Sequence, residues 1–138
     1  MENGILTYLL KVYRGSMSNR DKGAYAVDII ANDMGIKDAS LLNVFISETK
    51  KADEIVFDDD IIWIFTNNTI IKFKSNDKER EYAIIPLNSI SNIQLKISKD
   101  NTILEFVYSE KKYSLNANAE FNKETLMSIY HNAFNLKY

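Results

Sequence analysis

Hydrophobic and polar positions follow a two-residue period from about residue 53 to residue 117, in short runs parted by polar turns. That is the spacing of half-buried β-strands. Glu54-Ile55-Val56-Phe57 is stopped by Asp58-Asp59-Asp60. Ile61 to Thr66 is almost wholly apolar, which predicts a central strand covered on both faces, with Trp63 inside the core. Asn67-Asn68 predicts a two-residue hairpin with a primed turn, because asparagine tolerates positive φ. Thr69 to Lys74 alternates, with Ile71 and Phe73 on one face and Ile70, Lys72 and Lys74 on the other. After a polar loop from Ser75 to Glu79, Arg80 to Ile85 forms a fourth run, ended by Pro86, which cannot donate to a ladder. Ile90 to Ile97 aligns Ile93, Leu95 and Ile97; Thr102 to Tyr108 aligns Leu104, Phe106 and Tyr108; Lys112 to Ala117 aligns Tyr113 and Leu115. Seven runs in series predict a curved antiparallel sheet.

A helical period flanks these runs. At the C-terminal end, Leu126, Ile129, Tyr130, Ala133 and Phe134 form one apolar stripe, with Asn122 as expected N-cap, Glu124 in the first turn and a Phe121–Leu126 staple. The first 52 residues also read as helical. A stripe of Ile5 or Leu6 with Leu9, Leu10 and Tyr13 stops near Gly15. Ser18 with Asp21 opens a second helix holding Ala24, Val27, Ile30, Ala31 and Met34, closed by Gly35. Asp38 caps an expected third helix with Leu41, Val44 and Phe45. The expected fold class is α+β: a helical segment over residues 1–52, then a seven-stranded antiparallel sheet or barrel over 53–138, capped by the C-terminal helix.

The stretch Ile61-Ile62-Trp63-Ile64-Phe65-Thr66-Asn67-Asn68, the basic strand after it, and Ile85-Pro86-Leu87-Asn88-Ser89-Ile90 with Ile93 downstream resemble the bacterial pleckstrin-homology-like (PH-like, GRAM-like) superfamily. The resemblance covers residues 53–137 and implies a seven-stranded barrel closed by a helix. Eukaryotic members of this fold are known for binding phosphoinositides through basic residues near the first hairpin. Asp58-Asp59-Asp60 occupies that loop here, and three carboxylates repel an anionic headgroup. Lys72, Lys74, Lys78 and Arg80 lie among Asp77, Glu79 and Glu81, so they read as a solvated hairpin end. Membrane lipid is not an expected ligand.

Residues 24–46 carry a helix-turn-helix-like pattern, Ala31-x-x-x-Gly35-Ile36 with Leu41 downstream. Its would-be reading helix offers Asp38, Ser40 and Asn43 and no cation, whereas a major-groove helix needs basic and amide side chains near its start. Over residues 1–52, seven basic residues face six acids, and the whole chain has a formal net charge of −2. That balance argues against nucleic acid as a partner.

Catalytic candidates are few. His131 is the one histidine and stands off the apolar stripe. Ser16 and Ser18 have no base nearby in sequence, and Asp58-Asp59-Asp60 lacks the spaced ligands of a calcium loop. The four glycines form no phosphate-cradling run, and the chain has no cysteine for a thiolate site or disulfide. Met1-Glu2-Asn3-Gly4 lacks a basic leader region, and no apolar stretch approaches the ~18 residues of a membrane span. The expectation is a cytoplasmic, non-enzymatic protein-binding module without cofactor, metal or small-molecule substrate. An adaptor, an oligomerisation domain or an inhibitor of bacterial, phage or mobile-element origin all fit. A DNA-binding regulator using residues 24–46 is the alternative. The expected contact surface, for a homodimer or another protein, is a sheet edge or the stripe Leu6, Leu9, Leu10 and Tyr13.

Overall fold

The computed structural model describes residues 4–6, 22–37, 40–47, 61–75 and 78–134, without the Phe121 side chain. Among them, seven strands form two antiparallel sheets. β1 (Leu41–Ile46), β2 (Ile61–Thr66), β3 (Thr69–Ser75) and β4 (Arg80–Pro86) pair in sequence order in one sheet. A tight turn at Leu87–Ser89 leads to the other, made of β5 (Ser91–Ile97), β6 (Thr102–Tyr108) and β7 (Lys111–Ala117). Neither sheet closes on itself. Helix α1 (Lys22–Asp28) runs on through a wider turn, Ile29–Asp33, and α2 (Glu120–Ile129) through another, Tyr130–Phe134.

The four-stranded sheet has a core on each face, which explains why β2 is apolar at successive positions. Trp63 and Phe65 point one way, Ile62 and Ile64 the other. On the first side they meet Phe45, Ile70 and Ile85 of their own sheet, Leu104, Phe106, Leu115 and Ala117 of the second, and the α2 stripe Leu126, Ile129, Ala133 and Phe134. Edge-on ring contacts tie this side together: Trp63–Phe106 at 6.1 Å, Phe106–Phe134 at 5.6 Å and Phe65–Phe134 at 5.8 Å between centroids. On the other side, Ala26, Ile29 and Ile30 of α1 and its extension cover Val44, Ile46, Ile62, Ile64, Ile71 and Phe73.

Several expectations are corrected. The third helix expected over residues 38–46 is the strand β1, which pairs with β2 across the expected 52/53 boundary. Leu41, Val44 and Phe45 match a helical spacing only because the strand is buried on both faces and has a bulge between Leu41 and Asn43. The run Glu54–Phe57 and the acidic triplet 58–60 lie outside the described residues. Asn67-Asn68 does connect β2 to β3, but neither residue has a positive φ. The turn is held instead by Thr66 Oγ1, which accepts the Thr69 N–H at 3.2 Å. A positive-φ pair occurs at Ser109 (54°) and Glu110 (66°), between β6 and β7. Asn122 does not cap α2, whose N-cap is Ala119. It sits inside the first turn, 2% exposed.

Candidate functional site

A sheet that does not close has edges, and every second residue of an edge strand turns its N–H and C=O away from the sheet. At β1 the helix α2 reaches this edge. Asn122 Nδ2 donates to the outward Ile46 carbonyl at 3.3 Å, and a side-chain bond from Asn43 Nδ2 to Ser128 Oγ at 3.2 Å ties the same strand to α2. At β4 the Leu87 N–H donates to the Asn68 carbonyl at 2.9 Å, which fixes the phase of the β3–β4 ladder. The odd-numbered residues of β4 therefore bond to β3. Arg80, Tyr82 and Ile84 turn their backbone groups outward, and Pro86 has no N–H to offer. Among the described residues nothing bonds to that side of β4.

The side chains along this edge are exposed and held in place. Ile84 is 54% exposed and Tyr82 39%. The Tyr82 hydroxyl donates to Asp33 Oδ2 at 2.6 Å, and the Arg80 guanidinium bonds to the same oxygen. Asp33 ends the extension of α1, so this pair of bonds pins the helix to the edge. The Tyr82 ring packs on Phe73 at 5.0 Å, and the Arg80 guanidinium lies 5.9 Å from the Tyr25 ring centroid. Tyr25 in turn shares a 2.8 Å hydrogen bond with Ser75. Bonds from Tyr82 and Arg80 hold the Asp33 carboxyl below its usual range. Burial, then the bond to Asp33, pushes the Tyr82 phenol up to about 12. The result is a partly apolar strand whose outward hydrogen-bonding groups have no partner among the described residues. Its chemistry accepts another strand.

A charged cluster lies on the second sheet. Glu105 Oε1, on the outer face of the second sheet, takes Lys96 at 3.2 Å and Lys112 at 3.5 Å. The Lys96 bond is the main reason its carboxyl stays below the usual range. Lys72 Nζ lies 5.3 Å from the Tyr113 ring centroid and 5.8 Å from that of Trp63. Burial, then Lys111 and Lys74, lowers its pKa. His131 is exposed beside Tyr130. Among the described residues no group of three or more histidine, aspartate or glutamate side chains could hold a metal.

Of the expected interface residues, Leu6 is half-buried and packs on the core beneath α1; Leu9, Leu10 and Tyr13 lie outside the described residues. The helix-turn-helix-like pattern loses its reading helix, since residues 41–46 are a strand inside a sheet. No helix among the described residues is long and apolar enough to cross a membrane. The β4 edge was not singled out by sequence reasoning, although Pro86 is a signal for an edge strand. No protein-family model, curated protein or solved structure matches the chain.

Proposed function

We propose that this chain is a non-catalytic protein-binding module that takes a partner's strand at the outer edge of β4. The observation that carries this reading is the contrast between edges: at β1 the outward Ile46 carbonyl is taken by Asn122 of α2, whereas the outward backbone groups of Arg80, Tyr82 and Ile84 have no partner among the described residues. Main-chain bonds supply affinity in such pairing, and alternate side chains supply selectivity. The clamp at Asp33 supports the same reading, because a preordered edge loses less entropy when a strand docks.

The order of elements, a four-stranded and a three-stranded antiparallel sheet followed by a helix whose apolar residues enter the core between them, favours the PH-like barrel architecture suggested by the Thr66-Asn67 and Ile85-Pro86-Leu87 motifs. In that reading the module works as an adaptor, an oligomerisation domain or an inhibitor. Affinity capture with the full chain and with Ile84→Lys tests the proposal. The expected result is one protein, identified by mass, held by the wild type and lost with Ile84→Lys while circular dichroism is unchanged. Equal capture by both would refute the site.

A further inference from the structure

Resting on the reading of β4 as a strand-accepting edge, we infer that the strand it accepts is β4 of a second copy of this chain. The two copies run antiparallel about a twofold axis through Ala83.

The alternation of β4 sets this register. A twofold axis normal to the sheet pairs outward-turned residues with outward-turned residues. Centred on Ala83, it sets Tyr82 against the partner's Ile84, and Ile84 against the partner's Tyr82. These are the two exposed large apolar side chains of the strand, at 39% and 54%. Aromatic–aliphatic pairs directly across a ladder are among the favourable ones. Each of these pairs closes two main-chain bonds, and the Arg80 N–H finds the carbonyl of the partner's Pro86. Ala83 meets its own copy with nothing larger than a methyl group.

Neighbouring registers are worse for identifiable reasons. Centring on Tyr82 sets Arg80, already held by Asp33, against the partner's Ile84. Centring on Glu81 opposes two like charges, which destabilises a cross-strand pair. Moving the other way sets Tyr82 against the partner's Pro86, which lacks an N–H.

Within this sheet the pairing also stops at two. Charged residues from Lys78 to Glu81 and Pro86 at the other end confine pairing to the middle of the strand. At the other edge of the same sheet, Asn122 of α2 occupies the outward Ile46 carbonyl. An isologous contact of this kind closes, whereas an open edge at β1 would propagate.

The chain has no cysteine, so Ala83→Cys introduces a single thiol. Facing residues at such a pair have Cα atoms ~4.5 Å apart, within the ~4.4–6.8 Å range of a disulfide. Light scattering on the full chain is expected to give twice the chain mass. Ala83→Cys is expected to yield a linked dimer on mild oxidation. Ile97→Cys, at a position 65% exposed in the other sheet, is expected to yield none. Ile84→Lys is expected to be monomeric with unchanged circular dichroism. A wild-type monomer at millimolar concentration, a dimer that survives Ile84→Lys, or a dimer that Ala83→Cys fails to cross-link would each overturn the inference. A monomer that still captures a different protein through Ile84 overturns the second copy and leaves the protein-binding reading standing. A monomer that captures nothing removes both.

Discussion

Tyr82 does two jobs with one side chain: its ring seals Phe73 and its hydroxyl ties the edge strand to Asp33. Each leaves a mark on pH dependence. The phenol is raised from 10.0 to about 12, mainly by burial and then by its bond to Asp33. A raised folded pKa stabilises fully below the unfolded value, so this contribution is present below pH 10 and is lost as pH rises toward 12. Asp33 runs the opposite way. Its lowered pKa gives stability above the ordinary value of 3.8 that is lost as pH falls below it. Tyr82→Phe is expected to cost about 0.5 kcal/mol near pH 7, the low end for a hydrogen bond because the side chain is 39% exposed. The variant should also decline less than the wild type between pH 10 and 12. Urea melts at several pH values check this, and parallel curves would place the phenol in water.

At the scale of elements, the joint between α2 and β1 depends on Asn122. It is 2% exposed and satisfies the outward carbonyl of Ile46. Asn122→Ala is therefore expected to cost ~1–3 kcal/mol, the penalty for a buried carbonyl left without a donor. Glu120→Ala, exposed on the same turn, should change little. Equal denaturation midpoints would mean that water replaces the amide. Strands β2 to β7 were legible in the sequence because each has either clean alternation or a bounded apolar run. β1 was not. Leu41-Leu42-Asn43-Val44-Phe45-Ile46 is buried on both faces and bulged, which erases the two-residue period and leaves spacings that a helix also satisfies. The Asn122 cap misled for a related reason: local preference named an N-cap, and a tertiary hydrogen bond claimed the amide instead.

For the molecule as a whole, one sheet shared by two cores predicts one cooperative unit. Phe134→Ala weakens the side between the sheets and Ile64→Ala the side beneath α1, each side chain being at most 1% exposed. Expected costs are ~3–5 kcal/mol and ~2–5 kcal/mol. Both should shift the same single unfolding transition, because β2 carries Phe65 into one core and Ile64 into the other. Two separate transitions by calorimetry would split the chain into independent units. The sequence alone determined the α+β class, the serial order of most strands, the apolar stripe of α2 and the burial of Trp63, since each depends on local period and side-chain volume. The tertiary structure alone decided which edges are covered and which are not. Whether Ile46 or Ile84 keeps a free carbonyl depends on where a helix from the far end of the chain docks, and no local pattern in either strand encodes that position.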